Sequence, residues 1–311
     1  MIFVLVAGCG SSANAPLAPD GSSDDAPPAD GSSAETPADG ASAEKPPPGP
    51  DCTGFPMPNP ASTGLPHPMS YTANADGTIL DQVTGLTWEG SVDAAMYMQG
   101  DAVTHCAAKG AGWRLPTRLE LVSLVDYTVS APGPTIDAIF KDTPPTTFWT
   151  VSAYYGDVGD EWWVGFDVGY SDYGIENQEA YVRCVRSPPA TCRPSRYQVN
   201  ADGTVTDLAS GLVWQQKLDA GSYTWDDALK DCASLGAGWR APSLTETQTI
   251  IDDTREFPAV DGAVFPDTPS EDFWTGTAEA GGSGSAWYVD FFYGASDRDA
   301  PSRQFRVRCV R

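Results

Sequence analysis

The chain is short of positive charge, of histidine and of long apolar runs. It carries 18 basic residues against 42 acidic ones, for a net charge of -24, so no basic surface is available for nucleic acid and none is expected as a partner. Its two histidines, His67 and His105, fall at non-equivalent places in two repeated halves: Asp231 stands where the second half should repeat His105. No histidine-centred catalytic set was duplicated. After the first eight residues nothing is long and apolar enough to span a bilayer, and no Cys-x-x-Cys pair marks a redox or zinc site.

What is present begins with "MIFVLVAGCG", in which Val6-Ala7-Gly8-Cys9 is similar to a bacterial lipobox. Residues 1–8 are then expected to be a truncated lipoprotein signal, the true start lying upstream because the usual basic opening is missing. Cys9 is the expected lipidation site and the membrane partner would be reached through it. The expected location is extracytoplasmic, at the outer membrane or cell surface, with a periplasm-facing orientation as the alternative. Residues 9–51 read as a disordered acidic stalk of Pro, Ser, Ala and Gly, with Lys45 as its one base.

The remainder is one unit written twice. "YTANADGTILDQVTGLTWEG" from Tyr71 aligns with "YQVNADGTVTDLASGLVWQQ" from Tyr197 at an offset of 126, which becomes 125 by "FWT" at Phe148 and Phe273, as if one residue had been deleted. Two domains are expected, 52–188 and 189–311.

Within each copy, Asn-x-Asp-Gly reads as a tight turn and not as a calcium loop, which needs more oxygen ligands and a distal Glu. "TWDDALKDCASLGAGW" reads as a helix capped by Thr224 and ending near Gly236. "WRLPTRLELVSLVDYT" and "WRAPSLTETQTIIDDT" each hold a capping box, Thr117 with Glu120 and Ser243 with Glu246. Arg114 and Arg240 are expected to pair or bond carbonyls inside the fold, not to meet a ligand. Asp226–Asp227 and Asp252–Asp253 read as solvated helix-end charges. In the aromatic strand that follows, Trp162, Val164, Phe166 and Val168 share one face, expected to be core.

Six cysteines remain after Cys9. Cys106 and Cys184 recur as Cys232 and Cys309, so the simplest pairing is one bridge within each copy; Cys52 and Cys192 are left over, and whether they pair with one another is left open. Loops of this length would gain about 4–5 kcal/mol each in the chain-entropy estimate. Catalytic thiols are the alternative.

"GLTWEG", "GAGWRLPTRLELVSLVDYT", "FWTVS", "WWVGFDVGYS" and "YVRCVR", with their second-copy versions, resemble the Lcl C-terminal domain family, named for a collagen-like adhesin of Legionella. The resemblance covers nearly all of residues 65–311. It implies an α+β fold, two tandem domains like C-type lectins and the formylglycine-generating enzyme, each with two helices on twisted antiparallel sheets. It also implies an envelope binding or adhesion role. Sulfated glycans do not suit so acidic a chain, and the sugar-binding triplets of calcium-dependent lectins are missing, so the expected ligand is a neutral glycan or an envelope protein. Candidate contacts sit in the variable loop after the aromatic strand: Tyr170, Asp172, Tyr173 and Glu176 in copy one, and Tyr293, Asp297 and Arg298 in copy two. No catalytic residue, metal ligand or cofactor is assigned. A hydrolase built on loop carboxylates is the less favoured alternative. Oligomeric state is left open.

Overall fold

Asp-Gly turns build the first sheet of each copy. In copy one they join β1 (Tyr71–Ala73), β2 (Thr78–Asp81) and β3 (Thr87–Glu89). The Asp76 carboxylate accepts the Thr78 amide and hydroxyl at 3.1 and 2.7 Å, and Gly77 takes φ 84°, so these oxygens close a turn. The computed structural model describes residues 54–155, 160–174, 178–187, 195–282 and 284–311. Cys9, Cys52, Cys192 and Glu176 lie outside the described residues.

Copy one continues with α1 (Gln99–Ala108), β4 (Trp113–Arg114), α2 (Arg118–Val122), β5 (Thr147–Ala153), β6 (Glu161–Gly165), β7 (Ser171–Asp172) and β8 (Val185–Arg186). The last strand returns to the first sheet, giving the order β1-β2-β3-β8-β4, while β5-β6-β7 form a second antiparallel sheet. Copy two repeats this with β9 (Tyr197–Val199), β10 (Thr204–Asp207), β11 (Val213–Gln215), α3 (Trp225–Ser234), α4 (Leu244–Gln248), β12 (Asp272–Ala278), β13 (Ala286–Asp290) and β14 (Ser296–Asp299). Its last segment also returns: Val310 bridges both Trp214 and Arg240. The architecture is α+β, with four short α-helices on small antiparallel sheets among the described residues.

Both capping boxes form. The helices they open are five residues each, shorter than the apolar spacing of Leu121, Leu124 and Val125 suggests, because the chain tightens into i to i−3 bonds after Val122. Thr224 caps α3 by accepting the Asp227 amide.

Disulfides Cys106–Cys184 and Cys232–Cys309 tie α1 and α3 to the final strand segments. The core around each differs in identity: copy one has Leu115 and Ala180 where copy two has Ala241 and Phe305, a large and a small residue exchanged within one cluster.

The main core is shared by both copies. Trp88, Val125 and Phe148 belong to the same buried cluster as Trp214, Ile251 and Phe273, and all described residues fall in one unit. At the seam the Ser171 amide donates to Ser296 Oγ at 2.9 Å, with the hydroxyls 3.2 Å apart. Ser171 and Ser296 are equivalent residues, and equivalents facing each other mark an approximate two-fold axis. The segment before β1 reaches across as well. Asn59, fully buried, accepts from the Ser243 and Thr245 hydroxyls at 2.6 and 3.1 Å, and His67 Nε2 lies 2.8 Å from the Ser210 carbonyl.

The structure redistributes the expected deletion. Thr135 and Ala259 both donate to the equivalent carbonyls of Phe166 and Phe291, and both accept from the equivalent amides of Asp126 and Asp252. Copy two is therefore two residues shorter before this point and one residue longer just after it.

A candidate ligand-binding face at the seam

The repeated Trp-Arg phrase is scaffold. Arg114 grips Glu120 through two bonds of 2.7 and 2.5 Å, and Arg240 grips Glu246 through bonds of 2.6 and 2.7 Å. Each arginine also donates to the next carbonyl, Leu115 or Ala241. Such forked pairs fix the geometry of the strand-to-helix turn. The arginine of the final phrase is deeper still. Arg183 and Arg308 are buried, donate to main-chain carbonyls and to Thr143 or Thr268, and lie over the rings of Phe140 and Phe265. Burial pushes them down to about 10 and about 9.

The histidines are occupied separately. His105 packs at a tilt against Tyr97 and lies 3.5 Å from Asp93, whereas His67 meets the Ser210 carbonyl. Asp227 is a helix-end charge paired with Lys230, as Asp252 is with Arg255. Asp253 corrects the sequence reading. It is not simply solvated but crosses the seam to hold the buried Arg118 at 2.7–2.8 Å; Gln248 accepts from the same guanidinium, which lies over the Trp162 ring. Trp162 and Trp163 are both buried, so both faces of β6 are covered, in keeping with core packing of the aromatic strand.

The sequence-selected loop residues do come together, at this seam. Tyr170 packs edge-on against Trp163, Tyr173 stacks on Tyr154 at 3.8 Å, and Tyr293 meets both Tyr154 and Tyr173. Arg298 pairs with Glu279 at 3.1 Å and lies over Trp287. Asp172 is half-buried and Asp297 exposed. Tyr173 and Tyr154 thus meet Tyr293 across the seam, while the ring contact of Tyr170 and the ion pair of Arg298 each lie within their own copy. Burial raises Asp172, helped by Asp297, and raises Asp290, helped by Asp172. Burial likewise raises Tyr154 and Tyr173.

Beside this packed layer lies an open one that sequence reasoning passed over. Tyr155 and Phe257 are 61% and 54% exposed, and both line a groove of about 310 Å³ with Glu256, Thr254 and Arg255. Phe257 leans edge-on against Tyr293 at 5.2 Å and against Phe292, itself exposed. Its backbone has φ 53°. The structural counterpart in copy one is Gly133, φ 61°, since each precedes a cis-proline and then the residue bonded to Phe166 or Phe291. Glycine is the residue suited to that conformation, whereas a bulky side chain is an outlier there. A strained phenylalanine whose ring is mostly in solvent is a functional signature more than a packing one.

The signal that could have found this layer is divergence between the copies. Tyr155 aligns with Ala280, Phe292 with Asp167 and Tyr293 with Val168. A smaller groove, about 240 Å³, opens beside α3 where Ala241 and Gly276 replace Leu115 and Val151.

With this geometry in place, the comparisons are direct. The Lcl C-terminal domain family matches residues 77–186 and 203–311, well over half of the chain, and the chain belongs to that family as two tandem copies. No curated protein matches the chain. The family and the two disulfides are compatible with an extracytoplasmic location.

Proposed function

We propose, with membership of the Lcl C-terminal domain family as the premise, that this chain is an adhesin-like envelope binding protein and not an enzyme. It holds its ligand at the aromatic groove on the seam, and the lipidated Cys9 and acidic stalk hold the folded part off the membrane. The observation that carries the reading is Phe257: an exposed ring, in a conformation unfavourable to it, beside Tyr155 and a groove. Exposed rings of this kind grip a flat apolar face, whether of a neutral sugar or of a peptide side chain.

The purified chain and its Phe257→Ala variant should be compared on a glycan array, in pull-downs from envelope extracts and in whole-cell adhesion. Retention that falls about tenfold with the variant supports the site. Equal retention removes it. For the anchor, Cys9→Ala should move the protein from the membrane to the soluble fraction and end incorporation of labelled fatty acid; continued labelling would remove the lipid.

A further inference from the structure

We propose that the seam groove receives an arginine or lysine side chain presented by an extended segment of a foreign protein. This rests on the proposed binding role and names its ligand. The choice follows from which polar groups at the groove remain open. The Thr254 hydroxyl donates to Asp252 at 2.5 Å, and Arg255 is held on Asp252 at 2.7 Å and lies 4.0 Å from Asp261. Glu256, half-buried on the groove wall, has neither a hydrogen-bond nor an ion-pair partner among the described residues. The uncompensated charge on the groove wall is therefore negative, which an ammonium or guanidinium group complements and a neutral sugar does not, while the exposed Tyr155 hydroxyl can donate to or accept from either.

Charge points the same way. Glu256 lies close enough to Tyr154 to act on its hydroxyl, and Asp172 and Asp290 act on Tyr173, so carboxylates surround the ring cluster. The neighbouring cations are already paired, Arg118 with Asp253 and Arg298 with Glu279. Ring faces are themselves electronegative, and a cation over Tyr155 or Phe257 gains from the ring and the carboxylate together. The occupant is also not the protein's own. The stalk carries eight acids against Lys45, and a second copy brings another -24, so both are repelled. What complements the groove is a basic segment from elsewhere in the envelope or from a host surface.

The probe is a fluorescein-labelled octapeptide of alternating glycine and arginine, titrated by anisotropy into the full chain at about 150 mM salt. The same peptide with glutamate in place of arginine is the charge control. We expect the arginine peptide alone to bind, Phe257→Ala to weaken it about tenfold and Glu256→Gln about threefold or more. Asp226→Asn, an exposed acid on α3 that does not line the groove, should leave affinity unchanged. Unaltered affinity in Phe257→Ala, or equal losses in Glu256→Gln and Asp226→Asn, overturns the inference, because the attraction would then be diffuse. Thermal melts of each variant confirm folding. If Phe257→Ala abolishes adhesion but the arginine peptide does not bind, the binding role stands and the ligand class falls. If adhesion ignores Phe257→Ala, the site itself falls.

Discussion

The approximate two-fold axis gives the seam two edges that began as the same surface and no longer match. On one edge Tyr154, Tyr155 and Tyr173 of copy one face Phe257, Phe292 and Tyr293 of copy two. At the equivalent positions the other edge has Glu279, Ala280 and Arg298 with Gly133, Asp167 and Val168. The inner seam diverged in matched pairs. Arg118 with Asp253 on one side corresponds to Leu244 and Tyr127 on the other, where Tyr127 meets Trp287 edge-on. Complementarity was kept while chemistry changed, and only one edge was left with bare rings. On the proposed reading, that edge is the surface duplication freed for a ligand.

The largest effect should come from breaking a matched pair. Asp253→Ala leaves the Arg118 charge buried, and urea unfolding should show a loss of about 3 kcal/mol. Arg118→Leu with Asp253→Tyr copies the opposite edge and should recover more than half of that. A loss below about 1 kcal/mol for the single variant would mean that the seam does not rely on the pair. Next in size is a contrast across the axis. Tyr173→Ala removes a ring packed on Tyr154 and Trp162 and should cost about 2 kcal/mol, whereas its counterpart Arg298→Ala loses a partly exposed ion pair worth about 1 kcal/mol or less. Equal losses would mean that the edges are still interchangeable.

Much of this was legible in the sequence, and the reason is repetition. Thr117 with Glu120, Ser243 with Glu246, and the two cysteine pairs are local or duplicated patterns, so their meaning survives without coordinates. Tyr173, Tyr293 and Arg298 could be picked as unshared loop residues. That Tyr173 and Tyr293 would pack on one another could not, because the pairing depends on how the copies dock. Asp253 reads as a helix-end acid until Arg118, 135 residues away, is brought beside it. Phe257 was hidden by the loop redistribution, which aligns it with Ala131 in sequence but with Gly133 in space.

Copy two also carries a like-charge pair that copy one lacks. Asp272 faces Asp290 directly across β12 and β13, where copy one sets Thr147 opposite Gly165. Burial, then Asp290, raises Asp272 to about 6. The folded state therefore holds a proton that the unfolded state has lost between about pH 4 and 6. Stability attributable to this group is greatest below that window and declines as pH rises through it. Asp272→Thr should raise stability at pH 7 by about 1 kcal/mol, the shift being discounted for a half-exposed group, and change little at pH 4. The same gain at both pH values would place its origin elsewhere.

The smallest expected change in stability is the one that separates ligand from scaffold most cleanly. Phe257→Gly relieves a left-handed conformation that costs a side chain about 1 kcal/mol, and gives back about 0.5–1 kcal/mol through the freedom glycine gains on unfolding. The ring is mostly in solvent, so its packing against Tyr293 and Phe292 adds little. The melting temperature should stay within a degree or two of the parent while ligand retention drops. If melting instead falls steeply, Phe257 is there to pack, and the bare edge is an interface after all. If both are unchanged, the strain has no purpose in binding or in folding, and the difference between the two edges is drift.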